Sequence, residues 1–276
     1  MSTWLITGCS TGLGRDLARE VLERGHSAVV TARDPARVQD LVDAHPETAL
    51  ALALDVTDPA QVVDAVRAAE QRFGGVDVLV NNAGYGYRAA VEEGEDAQVA
   101  QLFATNFFGA VAMTKAVLPG MRARRSGAVV NISSIGAQVC PAGSGYYAAS
   151  KAALEAVSAS LRKEVAPLGI SVVVVEPGGF RTDFAGRSLT QAAEPIADYA
   201  DTAGRRRKEH DTVHGTQPGD PQKAAWAMIT AVEAAEPPAL LLLGRDALTG
   251  FQGVAEEQQR ELAQWEELTL STDHTD

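Results

Sequence analysis

Short apolar runs rich in β-branched residues alternate along this chain with longer segments of helical periodicity. Such runs predict buried strands, and the spacing of apolar residues between them predicts helices. The predicted strands are Trp4–Ile6, Ala28–Thr31, Ala49–Leu54, Val76–Val80, Ala128–Ile132, Ile170–Val175 and Leu240–Leu243. The predicted helices are Leu13–Leu22, Ala36–Ala44, Ala60–Phe73, Asp96–Leu118, Tyr146–Ala166, Pro221–Ala235 and Ala255–Leu268. This alternation indicates a parallel sheet, because parallel strands need a crossover connection.

Strands that are apolar at consecutive positions, such as Val172–Val175, are expected where helices cover both faces of a sheet. We therefore predict an α/β fold, a doubly wound, Rossmann-like parallel sheet of about seven strands. Folds of this class commonly form one domain at this length, so we predict a single domain over residues 1–276. Residues 184–219 lack a regular pattern and are expected to form a substrate lid, and residues 253–276 a C-terminal helix and tail.

The charge of the chain bears on its partners. Its 36 acidic and 24 basic residues give a net charge of -12, which repels a nucleic-acid backbone. The basic run Arg205–Lys208 is followed by Glu209 and Asp211, and we interpret it as a solvated face. We therefore expect no nucleic-acid partner.

Apolar runs and cysteines bear on location. Runs such as Val172–Val175 and Ala239–Leu243 are too short to span a bilayer, and Met1–Thr3 carries no basic targeting segment. Cys9 and Cys140 form no C-x-x-C pair, which is typical of a reducing compartment. We expect a cytoplasmic protein without a membrane span.

The glycine-rich stretch Thr7–Gly14 fits two kinds of chemistry. Its residues 8–12 spell the G-x-S-x-G of a serine hydrolase, whereas its three glycines, between a strand and a helix, suit a phosphate-binding turn. A hydrolase elbow takes oxyanion donors from an earlier strand-to-helix loop, and we expect none before the first strand. We therefore predict that the start of the helix binds a pyrophosphate, with an ordinary tight turn as the alternative.

Further motifs resemble those of the short-chain dehydrogenase/reductase family, in its order and spacing, from residue 3 to about residue 182. They are T-G-x-x-x-G-x-G at Thr7–Gly14, Asn81–Gly84, Asn106, Ser134, the Tyr147-x-x-x-Lys151 pair and Pro177–Gly178. The resemblance, which is to members of the hydroxysteroid or retinol dehydrogenase type, implies an oxidoreductase. Such an enzyme interconverts a ketone or aldehyde and an alcohol by hydride transfer with a nicotinamide cofactor.

The candidate catalytic residues are Asn106, Ser134, Tyr147 and Lys151. Tyr147 and Lys151 lie four residues apart in a predicted helix and so share one face. A nearby ammonium favours phenolate, so we expect a lowered pKa for Tyr147 and a role as general acid or base. Ser134 follows the fifth strand, at the sheet edge that binds ligands, where its hydroxyl can hold a carbonyl oxygen.

The resemblance assigns roles to these residues. It implies that Ser134 orients the substrate and that Tyr147 transfers the proton. It also implies that Lys151 binds the nicotinamide ribose and that Asn106 supports a water-linked proton relay. Tyr146, the competing tyrosine, is assigned to the pocket wall.

Cofactor type depends on the end of the second strand, where an acidic residue binds a ribose 2′-hydroxyl and an arginine accommodates a 2′-phosphate. Ala32 stands at what resembles the acidic position of NAD-preferring relatives, and Arg33 follows, which favours NADP(H) over NAD(H). The alternative is that Arg33 is solvated and Asp34 binds the ribose. Thr11 stands where some NADP-dependent relatives carry a basic residue.

The resemblance also implies contacts along the cofactor, with Asp55 and Val56 at the adenine and Pro177, Gly178 and Thr182 at the carboxamide. The predicted cofactor-binding residues are Gly8, Ser10, Gly12, Leu13, Gly14, Arg33, Asp55, Val56, Asn82, Ala83, Gly84, Tyr147, Lys151, Pro177, Gly178 and Thr182.

Metal chemistry has little support in the sequence. His210 and His214 stand four residues apart but lack the glutamate of H-E-x-x-H, and glycine and proline soon follow them. We predict no metal site.

The candidate pocket residues are mostly apolar or aromatic, which favours a bulky, mainly apolar small-molecule substrate. They are Tyr85, Tyr87, Arg88, Gln138, Val139, Cys140, Tyr146, Phe180 and Phe184. Two alternatives stay open: a non-catalytic dinucleotide-binding sensor or scaffold, and a family member that performs a net epimerisation or dehydration. The resemblance further implies a homodimer or homotetramer, joined through the helices that precede and contain Tyr147.

Overall fold

The computed structural model describes residues 1–182, 184, 186, 188–213 and 215–274. Parts of the predicted lid and tail, residues 185, 187, 214, 275 and 276, lie outside the described residues. The strands are β1 Thr3–Ile6, β2 Ser27–Ala32, β3 Ala49–Ala53, β4 Val78–Asn81, β5 Gly86–Arg88, β6 Gly127–Ile132, β7 Ile170–Pro177, β8 Leu189–Gln191 and β9 Leu240–Leu243. The helices are α1 Gly12–Glu23, α2 Gln39–Ala44, α3 Pro59–Phe73, α4 Asp96–Phe103, α5 Ala110–Arg124, α6 Gly136–Val139, α7 Gly145–Val165, α8 Ala203–Val213, α9 Pro221–Glu233 and α10 Arg245–Leu270.

One seven-stranded sheet organises the fold, with the order β3-β2-β1-β4-β6-β7-β9. Its neighbouring strands are parallel throughout. From β1 the order runs to β2 and β3 on one side and to the later strands on the other, so the switch point lies between β1 and β4. Ligands bind at such a point, beyond the carboxyl ends of the strands. The predicted doubly wound α/β fold is confirmed.

The core forms two layers, one on each face of the sheet. Residues of β1 alternate between them: Trp4 and Ile6 pack with α1 and α9, whereas Leu5 packs with α3 and α5. Each fully buried aliphatic side chain stabilises the fold by about 1.5–3 kcal/mol. Burial on both faces explains why the strand sequences are apolar at consecutive positions.

The predicted helix Asp96–Leu118 is not uniform. A π-helical turn at Ala104–Gly109 separates α4 from α5. Periodicity of apolar residues cannot show such a turn, because it reports faces and not the hydrogen-bond register. Residues 96–124 are also apolar enough for a membrane span by length and composition. Their inward face, which includes Leu102, Met113 and Val117, is buried like that of a core helix.

The predicted lid contains regular structure that its sequence does not show. Strand β8 pairs in parallel with β5, and α8 follows it. Arg207 of α8 forms a salt bridge with Glu93, whose side chain is fully buried. The Arg207 guanidinium lowers the pKa of Glu93 to about 2. The interpretation of Arg205–Lys208 as a solvated face is therefore wrong for Arg207, because a buried carboxylate needs a partner.

Candidate active site

A cross-link between Thr7 and Asn82 joins the ends of β1 and β4 at the switch point. The Thr7 hydroxyl accepts hydrogen bonds from the backbone N–H groups of Asn82 at 3.0 Å and Ala83 at 2.9 Å. The Asn82 amide donates to the carbonyl oxygens of Thr7 at 2.8 Å and Gly8 at 3.0 Å. The glycine-rich loop is thereby fixed against the end of β4.

The glycines of this loop meet separate requirements. Gly8 and Gly12 have φ angles of +73° and +64°, a region that side chains rarely adopt. A Cβ at Gly14 would lie 2.2 Å from Nδ2 of Asn82. Thr11 precedes α1 without a side-chain cap, and the first turn of α1 has no acidic residue. The start of α1 therefore suits a pyrophosphate, which the unpaired N–H groups and the helix dipole would bind.

A cleft of about 1090 Å³ opens above this loop. Most predicted cofactor-binding residues line it, namely Gly8, Ser10, Gly12, Leu13, Arg33, Asp55, Val56, Asn82, Ala83, Gly84, Tyr147, Lys151, Pro177, Gly178 and Thr182. Gly14 does not line the cleft, and it packs against the Asn82 amide. Among the described lining residues there is no histidine, so none of them offers Ser10 the histidine base of a serine hydrolase triad.

Arg33 and Asp34, the two candidate ribose contacts after β2, have different surroundings. Ala32 and Arg33 line the cleft, and Arg33 is exposed. The Asp34 carboxylate instead accepts the N–H of Ala36 at 3.1 Å and caps the following turn. Asp34 is thus engaged locally, whereas the Arg33 guanidinium is open to the cleft.

Ser134, Tyr147 and Lys151 line the same cleft. The Lys151 ammonium donates to the carbonyl oxygen of Ile132 at 2.7 Å, which ties α7 to the end of β6. Its Nζ lies 6.0 Å from the centre of the Tyr147 ring. Burial lowers the pKa of Lys151 to about 8, although the nearby Glu155 carboxylate opposes this shift.

The pKa of Tyr147 is raised, not lowered. Burial is the largest cause, and it outweighs the hydrogen bond with Ser134 and the positive charge of Arg88, which favour phenolate. The sequence-based expectation is therefore wrong in direction, because helical spacing shows a neighbouring ammonium but not the burial of the phenol. At neutral pH the hydroxyl keeps its proton and can act as a donor.

Asn106 lies behind the cleft, in the π-helical turn, and is only 1% exposed. Its side chain accepts from the N–H of Tyr85 at 3.0 Å and donates to the Tyr85 carbonyl at 2.9 Å and the Ser150 hydroxyl at 3.1 Å. π-Helical turns occur frequently at functional sites. The side chain of Asn106 therefore supports the cleft wall, and its proposed part in a proton relay stays a prediction.

The outer wall of the cleft differs in part from the predicted pocket. The predicted residues that line it are Tyr85, Arg88, Val139, Phe180 and Phe184, and those that do not are Tyr87, Gln138, Cys140 and Tyr146. The placement of Tyr146 in the pocket wall is wrong, because its hydroxyl donates to the Val91 carbonyl at 2.6 Å. Arg206 of α8 also lines the cleft, and only its place in a basic run could have suggested it.

Metal binding has no further support. His214 and the side chain of His210 lie outside the described residues. Across the rest of the described chain, no three His, Cys, Asp or Glu side chains are close enough to hold a metal ion.

Comparison with known proteins places these features in a family. The model of the short chain dehydrogenase family matches residues 2–193. Oxidoreductase BOA17 of Botryotinia fuckeliana is 37% identical over 270 residues, which cover 98% of each chain. The crystal structure of a short-chain dehydrogenase from Streptomyces avermitilis superimposes with a TM-score of 0.93 at 41% identity, over 99% of this chain and 100% of that one.

Two more distant structures carry dinucleotides. A short chain dehydrogenase/reductase from Burkholderia phymatum in complex with NAD has a TM-score of 0.81 at 22% identity and covers 100% of this chain and 96% of its own. A short chain dehydrogenase from Burkholderia cenocepacia in complex with NADP has a TM-score of 0.73 at 24% identity, with 95% and 96% covered. Both have the same fold.

Replacing Gly14 by Ala tests the packing of the loop. We expect the free energy of unfolding to fall by about 1–3 kcal/mol, because the new Cβ would overlap the Asn82 amide. Chemical denaturation measures the change. Gly253→Ala is the matched control, since that helical glycine has nothing within 4 Å and alanine there should be neutral or stabilising. Equal stability of the two variants would contradict the packing account.

Proposed function

The chain belongs to the short-chain dehydrogenase family and is an oxidoreductase, and we propose that it uses a nicotinamide dinucleotide. From this premise we propose an NADP(H)-dependent enzyme that interconverts a ketone or aldehyde and an alcohol on a bulky, mainly apolar small molecule. The observation that carries the proposal is the meeting of Ser134, Tyr147 and Lys151 in one cleft with the glycine-rich loop.

The residues that would hold the cofactor follow from the cleft. The loop Gly8–Leu13 would bind the pyrophosphate, Arg33 the 2′-phosphate, and Pro177 and Gly178 the carboxamide. The loop suits a pyrophosphate because its glycines carry no side chains, which would otherwise fill the space that the pyrophosphate needs. When bound, the nicotinamide supplies or accepts a hydride.

The protein's own part in the reaction is to position the carbonyl and move a proton. The Ser134 hydroxyl would hold the carbonyl oxygen, and the Tyr147 hydroxyl would donate its proton to that oxygen as the alcohol forms. Lys151, fixed on the Ile132 carbonyl, keeps a positive charge beside this proton transfer. Reduction needs a hydroxyl that starts protonated, and the pKa of Tyr147, which burial raises, is consistent with a protonated phenol at neutral pH.

The walls of the cleft support the substrate class. The Phe184 ring lies 5.8 Å from the Tyr147 ring, centre to centre, and Tyr85 and Phe180 also line the cleft. These aromatic rings would pack against an apolar substrate and help to exclude water from the reacting carbonyl. Polar side chains of the same wall, such as Arg88, Gln98 and Arg206, would orient the substrate.

Replacing Tyr147 by Phe tests the proton donor. We expect kcat for ketone reduction to fall about a hundredfold to ten-thousandfold, because the ring stays and the hydroxyl that donates the proton is lost. NADPH binding, followed by nicotinamide fluorescence, should persist, because the glycine-rich loop and the other cofactor-binding residues are kept. Tyr146→Phe is the control and should keep its activity, since that hydroxyl bonds to Val91 outside the cleft. Near wild-type turnover in Tyr147→Phe would contradict the assignment. Tight NADPH binding by the wild type without turnover of any ketone or aldehyde would instead favour the sensor.

Replacing Arg33 by Ser tests the cofactor preference. We expect the affinity for NADPH to fall about ten- to a hundredfold, the effect of losing a hydrogen bond between charged groups, with NADH affinity unchanged. Paired titrations with the two cofactors measure this. Arg37→Ser, an exposed arginine on the same turn that does not line the cleft, should leave both affinities alone. Tighter NADH than NADPH binding by the wild type would contradict the preference and favour Asp34 as the ribose contact.

We also propose a cytoplasmic homodimer or homotetramer that contacts through the α4–α5 segment and α7. Phe108 and Val157 on these elements are 61% and 36% exposed, and burial of such side chains against a second copy would be favourable.

Replacing Phe108 by Glu tests this contact. We expect the wild type to scatter light as a multiple of the chain mass and the variant to shift towards the monomer, because a buried charge opposes association. Val63→Glu, on the exposed face of α3, should leave the mass unchanged. A monomeric wild type would contradict the proposed assembly.

A further inference from the structure

A cluster of polar side chains lies behind the catalytic lysine. Glu155 stands one helical turn after Lys151 on α7, and Glu176 stands in β7 directly before Pro177. The Gln138 amide donates to Oε2 of Glu155 at 2.8 Å and to Oε1 of Glu176 at 3.0 Å. The Ser133 hydroxyl donates to Oε1 of Glu155. Two carboxyl groups are thus held together by one amide.

The hydrogen bonds of this cluster do not balance if both carboxyl groups are ionised. Glu176 is completely buried, and its Oε2 has no hydrogen-bond partner among the described residues. An ionised carboxylate only accepts, so neither glutamate could supply the missing donor. A buried acceptor without a donor is costly, and two adjacent negative charges repel each other. One proton between the two groups removes both penalties.

Among the residues that the structure describes, no positive charge is bonded to the pair. Lys151 is directed to the Ile132 carbonyl, and neither glutamate forms an ion pair with a described residue. The groups that face the pair from other elements are the hydroxyl of Ser133 and the amide of Gln138. On β9 the residue opposite Glu176 is the apolar Leu242.

Helix α10 also carries charged residues near this part of the fold. Helix α10, which packs on α6, begins with Arg245 and Asp246, and the Asp246 carboxylate accepts the N–H of Gly179 at 2.6 Å. Burial raises the pKa of both glutamates, that of Glu155 to about 7, with the Glu176 charge adding to the shift for Glu155.

We propose that Glu155 and Glu176 share one proton near neutral pH and act as positioning residues for the catalytic cleft. The pair holds together three parts of the site: Glu155 binds Ser133, the neighbour of Ser134; Glu176 precedes Pro177; and Glu155 shares its helix with Lys151. Loss of the proton places a second negative charge there, which loosens the contact and acts on the Lys151 ammonium. The catalytic part of this inference rests on the proposed function.

The direction of the pH dependence follows from the raised pKa. A glutamate whose pKa is higher in the folded than in the unfolded chain contributes stability at low pH and loses it as pH rises through the folded value, here about 7. The wild type should therefore lose thermal stability from about pH 4.5, the ordinary pKa of a glutamate, up to about pH 7, and part of this loss falls above pH 6.

Glu176→Gln is the variant that tests the pair. Its amide oxygen can accept from Gln138, and its N–H can take the place of the shared proton at Oε2. We expect the loss of Tm from pH 6 to about pH 8 to shrink by roughly 2–4 °C and the pH profile of kcat to flatten over the same range. Glu155→Gln serves as the second variant should the first fail to fold. Glu164→Gln, exposed on the same helix, is the control and should behave as the wild type.

Infrared titration in heavy water detects the proton directly. The wild type should show the carbonyl stretch of a protonated carboxylic acid that disappears as pH rises through about 7 and is absent from Glu176→Gln but kept in Glu164→Gln. No such band in the wild type would overturn the shared proton. A band with an unchanged kcat profile in Glu176→Gln would overturn the positioning role. A wild type that binds NADPH but reduces no carbonyl would contradict the proposed function, while the band and the Tm measurements would still decide the shared proton.

Discussion

One hydroxyl group, that of Thr7, joins the two strands between which the cleft opens. It accepts the N–H groups of Asn82 and Ala83 and donates to the Val80 carbonyl at 3.3 Å, which uses its one donor and both acceptor positions. The Asn82 amide then fills the space beside Gly14 and holds the loop carbonyls. The half of the cleft that we propose to bind the cofactor depends on this cross-link, because the cross-link fixes the start of α1 at the topological switch point.

The proposed catalytic half of the cleft depends on how α7 meets β6. Lys151 donates to the Ile132 carbonyl at the end of β6, two residues before Ser134. This bond brings the helix that carries Tyr147 to the same sheet edge as the cofactor loop. Burial there has opposite effects on two groups: it raises the pKa of Tyr147 and lowers that of Lys151. The proposed proton donation to a carbonyl uses the protonated phenol of Tyr147 near the charged ammonium of Lys151.

Much of the fold could be predicted from local patterns, because strands buried on both faces and amphipathic helices leave a periodic signal. The placement of Tyr147 and Lys151 on one face followed from helical spacing alone. Helical spacing could not predict that the pKa of Tyr147 is raised, because burial of the phenol depends on tertiary packing. The Arg207–Glu93 salt bridge and the Glu155–Glu176 pair join residues distant in sequence, and no local pattern marks them. The three-residue strands β5 and β8 are too short for periodicity.

Transfer of a deuterium label from C4-deuterated NADPH to a bulky apolar ketone tests the central claim most directly, with mass spectrometry of the alcohol as the readout. If this cleft catalyses hydride transfer with Tyr147 as proton donor, the alcohol formed by the wild type carries the label at its carbinol carbon, from one of the two C4 epimers only. Alcohol formed without the label, or with equal label from both epimers, would contradict direct hydride transfer in the cleft.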